Sequence, residues 1–163
     1  MRTGLGIDSH RFAPGRRLVL GGVEIPHDRG LDGHSDADVL AHAITDAILG
    51  AASMGDIGTH FPDTEAQWKD ADSLGLLRDV VASIGAAGWS IANVDATVLL
   101  ERPKLLPHRT AITAALAGAL GVAEDAVNVK ATTGEGMGFV GRGEGAAALA
   151  VATVTRLEPG AAG

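Results

Sequence analysis

The segment DADVLAHAITDAILGAA, residues 36–52, repeats its apolar side chains every three or four positions. This spacing is typical of an amphipathic helix and predicts one along the whole segment. Ser35 is the expected N-cap, and Asp36 and Asp38 fall in the first turn, where carboxylates interact favourably with the helix dipole. The same helix would carry His42, which is why its placement in the fold matters for the rest of the chain.

The sequence around this helix predicts an α+β fold, with a small mixed β-sheet layered with about three helices. The other two helices are expected at residues 73–87 and 107–121, each bounded by capping residues. Strands are predicted at residues 2–8, 18–25 (two short strands), 94–100, 127–131 and 145–157. Residues 55–63 are so rich in Gly and Pro that they predict a loop.

The composition indicates one domain, which we expect to span residues 1–158, followed by a disordered tail at 159–163. Apolar residues make up 46% of the 163 residues, so a core can form, but aromatic residues make up only 3%. The core is therefore built mainly from small and aliphatic side chains, each of which buries little area. For this reason we expect a subunit interface to complete the buried surface.

Several classes of protein are disfavoured by what the sequence lacks. It has no cysteine, which excludes disulfides, thiolate catalysis and cysteine–zinc sites. No apolar stretch approaches the ~20 residues that span a bilayer, and the N-terminal residues do not resemble a signal peptide. A net charge of −7 without a basic run argues against nucleic-acid binding. We expect a cytoplasmic protein with neither a nucleic-acid nor a membrane partner.

A candidate metal site combines a strand and a helix. Asp8 and His10 are one residue apart, so their side chains point to the same face of a strand. With His42 on the helix they offer three ligands and leave one coordination position open, as catalytic metal sites do. Asp38 and Asp46 lie four residues before and after His42, where a carboxylate would orient its ring. The alternative is that both are solvated helix charges.

Two further pairs of residues have the chemistry of phosphate sites. His34 and Ser35 precede the helix, and a helix N-terminus attracts anions. The alternative is that Ser35 only caps the helix and His34 faces solvent. Thr133 and Glu135 follow a strand, where the hydroxyl would bond a phosphoryl oxygen and the carboxylate a hard cation. The alternative there is an ordinary turn.

Three connecting segments complete the set of candidates. The loop at residues 56–63 would cradle a polyol or be an ordinary surface loop. Residues 100–107 are stiffened by two prolines, so their backbone amides and carbonyls could hydrogen-bond a planar base while Lys104 binds a phosphate. The alternative is that they only connect a strand to a helix. Residues 136–141 match G-x-G-x-x-G, but strand-like residues follow, so a dinucleotide site is rejected. They predict a glycine-rich turn packed close to another backbone.

Seven short motifs occur in order along the chain. They are Gly-Ile-Asp-Ser-His at 6–10, His-Ser-Asp-Ala-Asp-Val at 34–39, Gly-Asp-Ile-Gly at 55–58, Phe-Pro-Asp-Thr at 61–64, Pro-Lys-Leu-Leu-Pro-His at 103–108, Val-Asn-Val-Lys-Ala-Thr-Thr at 127–133 and Gly-Phe-Val-Gly-Arg-Gly-Glu-Gly at 138–145. Together they closely resemble the 2-C-methyl-D-erythritol 2,4-cyclodiphosphate synthase family over roughly residues 2–157. Some relatives are fused to a cytidylyltransferase, and we expect none within these 163 residues. One departure is Gly134, where the family often has a polar residue.

The resemblance implies a homotrimer in which each active site lies between neighbouring subunits. It also implies that Asp8, His10 and His42 hold zinc. A second ion, magnesium or manganese, would lie at the diphosphate in contact with Glu135. Phe139 and Arg142 would lie near the trimer axis, where some relatives bind isoprenoid phosphates. The alternative is that Arg142 only organises the subunit interface.

The implied substrate is a small molecule linked to cytidine diphosphate. His34 and Thr133 would be the catalytic residues that align and polarise its phosphates. The loop at residues 56–65 would hold the methylerythritol part, and residues 100–106 and 131–133 the cytidine diphosphate part. The implied substrate-binding residues are Ser35, Asp56, Ile57, Gly58, Phe61, Asp63, Leu100, Lys104, Leu105, Leu106, Ala131, Thr132, Phe139 and Arg142.

The implied reaction belongs to the non-mevalonate pathway to isoprenoid precursors. It is the metal-dependent intramolecular cyclisation of 4-diphosphocytidyl-2-C-methyl-D-erythritol 2-phosphate to 2-C-methyl-D-erythritol 2,4-cyclodiphosphate. CMP is released, so the enzyme would be a phosphorus–oxygen lyase. Two other functions remain open from the residues: a zinc-dependent phosphoesterase that uses the same three ligands, and a non-catalytic trimer that binds isoprenoid phosphates through Arg142.

Overall fold

The computed structural model describes residues 1–157, and the predicted tail at 159–163 lies outside the described residues. The strands are β1 Arg2–Pro14, β2 Leu18–Leu20, β3 Val23–Ile25, β4 Arg29–Leu31, β5 Trp89–Leu99, β6 Val127–Thr132 and β7 Gly145–Arg156. The helices are α1 Val39–Ala52, α2 Ile57–His60, α3 Ser73–Ala86, α4 Arg109–Leu120 and α5 Gly138–Gly141. Short 3₁₀ turns occur at Ala66–Trp68, Leu106–His108 and Glu124–Ala126. The predicted α+β class is confirmed.

The main sheet has the strand order β4-β1-β7-β5-β6. Only β5 and β6 are parallel neighbours, so the predicted mixed sheet is confirmed. β2 and β3 form a separate hairpin. The three longer helices, α1, α3 and α4, cover the sheet and enclose one hydrophobic core. No helix within residues 1–157 is long and apolar enough to cross a membrane.

Helix α1 lies directly on the backbone of β1. A Cβ atom on Gly6 would be 1.9 Å from the carbonyl oxygen of Ala43, and one on Gly4 would be 2.1 Å from a carbonyl oxygen in the next turn of α1. Only glycine allows such an approach. Because side chains alternate along a strand, Asp8 and His10 continue the face of β1 that meets the helix.

The start of α1 differs from the prediction. The helix begins at Val39, three residues later than expected, and its N-cap is Asp38 rather than Ser35. Ala37 adopts a left-handed conformation with φ of +57°, which excludes the preceding residues from the helix. The Asp38 carboxylate accepts hydrogen bonds of 2.7–3.2 Å from the backbone amides of Gly21, Gly22, Leu40 and Ala41. It therefore joins the β2–β3 turn to the helix, which no local sequence pattern encodes.

Other elements also differ from the predicted ones. Residues 55–63 include the four-residue helix α2, because the Asp56 carboxylate accepts a 2.8 Å bond from the Thr59 amide and so caps one turn. β1 continues past the predicted 2–8 to Pro14, and β5 begins at Trp89 rather than at residue 94 and ends at Leu99. β4, which was not predicted, has three residues, too few to show a periodic pattern.

The face of the sheet opposite α1 is apolar and exposed. On it, Leu5 and Ile7 of β1 pair with Val151 and Leu149 of β7. These four side chains are 37–61% exposed. A contiguous apolar patch of this kind is typical of a protein–protein interface. It agrees with the expectation of a subunit interface, which itself remains a prediction.

The close contact of β1 and α1 can be tested by adding one methyl group. We expect Gly6→Ala to lower the free energy of unfolding by roughly 1–3 kcal/mol, as overpacking a core does, because the new Cβ meets helix backbone that cannot rotate away. The control is Gly50→Ala in α1, where a Cβ has nothing within 4 Å. There, the better helix propensity should stabilise by up to about 1 kcal/mol. Urea unfolding measures both variants, and a Gly6→Ala protein as stable as the parent would contradict the packing described.

Candidate metal centre and substrate cavity

The structure brings together the three predicted metal ligands. Asp8 Oδ2 lies 2.9 Å from His10 Nε2 and 3.0 Å from His42 Nδ1, and the two nitrogens are 3.2 Å apart. Within residues 1–157, this is the one cluster of acidic and histidine side chains that could hold a metal ion. One carboxylate oxygen and two imidazole nitrogens are a ligand set typical of zinc.

Outer hydrogen bonds fix which nitrogen each histidine presents. His10 Nδ1 is 2.8 Å from the carbonyl oxygen of Asp32, to which it must donate, so in the neutral ring Nε2 carries the lone pair. His42 uses the opposite nitrogen. Its Nε2 lies 2.9 Å from Ser73 Oγ and 3.1 Å from Ser35 Oγ, and its Nδ1 faces the cluster. Such outer partners are a regular feature of metal-binding histidines, and both rings are therefore set to bind a cation.

Ser73 connects His42 to a carboxylate. Its hydroxyl donates to Asp36, so the Ser73 oxygen is free to accept the proton on His42 Nε2. The Asp36 carboxylate also accepts from the Ser73 backbone amide at 3.1 Å. Ser73 is only 1% exposed, so this arrangement is shielded from water. The carboxylate that orients His42 is thus Asp36, acting through a hydroxyl.

The predicted orienting carboxylates of α1 have other partners. Asp38 caps the helix and binds the hairpin turn, as described above. Asp46 accepts a 2.8 Å hydrogen bond from the backbone amide of Ile57 and so holds α2 against α1. Neither is a solvated helix charge, and neither bonds to His42. Spacing along a helix identified the correct face, but it could not show which groups pack opposite that face.

The pKa values of Asp8 and His10 shift in opposite directions because the two groups interact. Burial by itself raises the pKa of Asp8, but the hydrogen bonds and charges of His10 and His42 outweigh it and hold that pKa well below its usual range. Burial lowers the pKa of His10, but the hydrogen bond and charge of Asp8 outweigh burial and raise it. Asp8 is therefore ionised at neutral pH, which is the state that binds a metal ion.

The metal cluster opens into a cavity of about 480 Å³. Six predicted substrate-site residues line it: His34, Ser35, Ile57, Gly58, Phe61 and Asp63. Asp56 instead caps α2. Pro62 and Thr64, which also line the cavity, belong to the predicted 56–65 loop, whereas Asp46, Trp68 and Leu76 were not predicted as lining residues. Six of the fourteen lining residues thus come from the segment after α2 and from α3.

Trp68 contributes an aromatic wall and a free donor. Its ring packs edge-on against Phe61, with 5.0 Å between the ring centroids. The indole Nε1 is buried and has no hydrogen-bond partner within residues 1–157. Since a buried N–H without a partner is unfavourable, the cavity wall carries an unsatisfied donor at Trp68.

The second group of predicted residues lies elsewhere. Thr133 Oγ1 donates to Glu135 Oε1 at 2.8 Å just beyond β6, but neither residue lines the cavity of the metal cluster. Leu105, Leu106 and Ala131 line a separate pocket of about 120 Å³. Of the remaining predicted residues, Leu100 is buried, and Lys104 and Thr132 are exposed. Within residues 1–157, the predicted site is therefore divided into two halves.

The glycine-rich segment near α5 is packed as expected. A Cβ on Gly134 would lie 2.5 Å from the backbone nitrogen of Gly141, so the glycine at this position is required by contact with another backbone. The structure adds one turn of helix, α5, to the predicted turn. Phe139 on α5 is 42% exposed, and Arg142 after it pairs with Glu144 at 2.7 Å.

Comparison with known proteins places this geometry in a family. A family model described as the YgbB family matches residues 1–155. The chain belongs to the YgbB family. Its relatives include the 2-C-methyl-D-erythritol 2,4-cyclodiphosphate synthase of Salinibacter ruber, which is 63% identical over 154 residues, or 94% of this chain and 98% of the relative. The family resemblance inferred from the seven motifs is confirmed.

Solved structures of YgbB-family proteins share the fold. The bifunctional IspDF of Campylobacter jejuni superposes with a TM-score of 0.93 at 43% identity, covering 96% of this chain and 42% of that one. The IspF of Plasmodium falciparum in a CDP complex has a TM-score of 0.84 at 31% identity, covering 96% and 97%. The chain thus corresponds to less than half of the bifunctional protein and to nearly all of the second relative.

Removing one ligand tests the metal centre. We expect His42→Ala to reduce zinc affinity by more than the roughly 10- to 100-fold that losses of outer partners cause, because it deletes one of the three ligand atoms. His108→Ala is the matched control, since His108 lies outside the cluster. Zinc bound after dialysis can be measured by mass spectrometry. Parent-like zinc content in His42→Ala would refute the site.

Proposed function

We propose that this YgbB-family chain catalyses the metal-dependent cyclisation of 4-diphosphocytidyl-2-C-methyl-D-erythritol 2-phosphate, with release of CMP. One observation carries the proposal: Asp8, His10 and His42 converge at a cavity in a chain that matches a named synthase over 98% of the relative's length. In this reaction a phosphorus–oxygen bond forms within the substrate while another breaks, so the enzyme would be a phosphorus–oxygen lyase. We expect it to act in the cytoplasm.

The chain's own residues would provide two cation sites. Asp8, His10 and His42 would hold zinc, and Glu135 would contact magnesium or manganese. When bound, these ions would supply positive charge that offsets the repulsion between two phosphates, which is several kcal/mol in a poorly solvated site. The donor set and its fixed tautomers support zinc over a harder ion at the first site.

Positioning of the phosphates would be the main contribution of His34 and Thr133. An oxygen of the substrate's 2-phosphate forms a bond to the β-phosphorus, and the bond from that phosphorus to the CMP oxygen breaks. CMP leaves with the bonding electron pair, and no covalent enzyme intermediate is needed. Because both groups belong to one molecule, holding it folded supplies the large effective molarity of an intramolecular reaction.

The methylerythritol part would lie in the 480 Å³ cavity. Support comes from a cavity wall that is partly apolar and partly polar. Phe61 and Trp68 offer apolar surface. The one-turn helix α2 offers backbone amide groups, and Asp46 holds that turn in place. A branched polyol has both an apolar methyl group and hydroxyls, which suits such a wall. Asp56, at the start of the same turn, stays a predicted substrate ligand.

The cytidine diphosphate part would bind where residues 100–106 approach 131–133. The small pocket beside Ala131 and the exposed Lys104 support this assignment, because they combine apolar surface with a cation. The relative from Plasmodium falciparum has been solved with CDP, which supports a cytidine-linked substrate for this chain too. Thr132 and Leu100 complete the predicted set.

We further propose that the active protein is a homotrimer. The phosphate half of the site, Thr133 and Glu135, does not line the metal-site cavity within one chain, and a neighbouring subunit would supply it. The exposed apolar face of β1 and β7 offers the surface for assembly. The position of Phe139 and Arg142 near the trimer axis stays a prediction. So do the two alternatives for Arg142, which would bind an isoprenoid phosphate or only organise the subunit interface.

The reaction can be tested directly with purified protein. Incubation with the cytidine substrate and divalent ions should yield CMP and a cyclic diphosphate, both visible by phosphorus NMR, and chelation should stop the reaction. Run in ¹⁸O-labelled water, cyclisation incorporates no solvent oxygen, because the nucleophile is the substrate's own phosphate. Labelled phosphate in the product would instead indicate a phosphoesterase.

Thr133→Ala should lower kcat by roughly 100-fold or more, as loss of a donor to a developing charge does, with zinc content unchanged. The reason is that the hydroxyl would touch the reacting phosphate rather than the metal ligands. Thr110→Ala, on the exposed start of α4, is the control. A rise in KM alone would assign Thr133 to substrate binding only.

A charge on the apolar sheet face should prevent assembly. We expect Ile7→Glu to give a monomer with little activity, because burying an unpaired carboxylate in an interface is strongly unfavourable. The control, Ala82→Glu, adds the same charge to an exposed position of α3. Sedimentation velocity measures the mass of both. A fully active parent monomer would refute the trimer.

A further inference from the structure

Arg16 reaches the segment that supports the metal centre from outside the cavity. Its Nε donates to the carbonyl oxygen of Leu31 at 3.2 Å. Its Nη2 donates to the carbonyl oxygens of Gly33, at 3.2 Å, and Ser35, at 2.6 Å. The side chain is 29% exposed and does not line the cavity of the metal cluster. One guanidinium thus binds three carbonyl groups within five residues.

Between these carbonyls lie the groups that orient both histidine ligands. The carbonyl of Asp32 accepts the bond from His10 Nδ1. It lies between the carbonyls of Leu31 and Gly33, both of which Arg16 binds. The Ser35 residue, whose carbonyl receives the shortest of the three bonds, carries the hydroxyl beside His42 Nε2. A shift of this segment would therefore disturb the outer partners of both rings at once.

The C-terminal end of this segment is held by the residues that precede α3. The backbone amide of Asp70 donates to the carbonyl of His34 at 2.8 Å, and the amide of Asp36 donates to the carbonyl of Ala71 at 3.1 Å. These bonds hold the end of the segment beside α3. Within residues 31–33, the Asp32 amide donates to the carbonyl of Arg11 in β1 at 2.8 Å, while Arg16 binds the carbonyls of Leu31 and Gly33.

The shape of the guanidinium explains why an arginine serves here. It presents N–H donors in a rigid planar fork, so several carbonyls can be held at fixed angles to one another. A lysine ammonium is a point charge on a flexible stem and could hold one or two of them. Arg16 Nη1 also pairs with the Asp70 carboxylate at 3.5 Å, but the carboxylate of the metal cluster, Asp8, is not among its partners.

We propose that Arg16 is a positioning residue for the metal centre. It holds residues 31–35 so that Asp32 and Ser35 fix the tautomer and the direction of the two histidine ligands. This rests on the proposed function only in that Asp8, His10 and His42 are taken to bind a divalent ion. Arg16 itself touches neither the ion site nor the cavity.

The neighbouring Arg17 provides a matched control. Its side chain is 74% exposed and pairs with Glu24 at 3.2 Å, so it carries the same charge without contact to residues 31–35. Cobalt(II) is the probe, because its visible spectrum reports both binding and ligand geometry. We expect Arg16→Ala to weaken cobalt affinity by roughly 10-fold or more and to alter the spectrum. Arg16→Lys should fall between, and Arg17→Ala should match the parent.

The outcomes separate this inference from the proposed function. If the parent binds cobalt and Arg16→Ala binds it with equal affinity and an identical spectrum, Arg16 has no positioning role, although the metal site stands. An equal loss in Arg17→Ala would also overturn the inference, since general charge would then be the cause. If the parent binds no divalent ion, the proposed metal centre itself fails.

Stability is controlled in the same series. Thermal unfolding of the metal-free proteins checks that Arg16→Ala keeps its fold, which we expect because Arg16 lines a surface pocket and is not part of the hydrophobic core. If that variant does not fold, Arg16→Lys is titrated instead. Parent-like affinity and spectrum in Arg16→Lys would then overturn the proposal.

Discussion

The contact between the backbones of β1 and α1 is the constraint on which the candidate metal centre depends. Gly4 and Gly6 leave no side chain between strand and helix, so the two elements lie at a distance set by backbone atoms alone. Asp8 and His10 continue the same strand face, and α1 carries the third ligand. Ligand atoms within 3.2 Å of one another are thus placed by two rigid elements, without help from a mobile loop.

A layer of hydrogen bonds surrounds the three candidate ligands and holds their side chains from outside. The hydroxyls of Ser35 and Ser73 contact one imidazole, a backbone carbonyl contacts the other, and Asp36 and Arg16 hold those partners in turn. A buried polar network is stable only when its members are satisfied, and then it is rigid. The three side chains that could hold a metal ion are therefore oriented by the protein itself.

One chain nevertheless forms only half of the site that its family membership suggests. The metal cluster and its cavity lie beside α1, α2 and α3, whereas the hydroxyl and carboxylate expected at the phosphates lie beyond β6. The sheet face opposite α1 exposes a paired patch of Leu and Ile side chains with Val151. An assembly that buries this face would explain both features, and it accounts for a core built from small side chains.

Local patterns were sufficient for much of this protein. Helical spacing located α1, α3 and α4, alternation placed Asp8 and His10 on one face, and seven motifs identified the family. The roles of Asp36, Asp38, Asp46 and Ser73 could not be obtained that way. A helical or strand repeat states which residues share a face, but the partner across that face comes from distant sequence: Ser73 is 31 residues from His42. Tertiary structure alone decided those partners, since hydrogen bonds and close packing act between neighbours in space rather than along the chain.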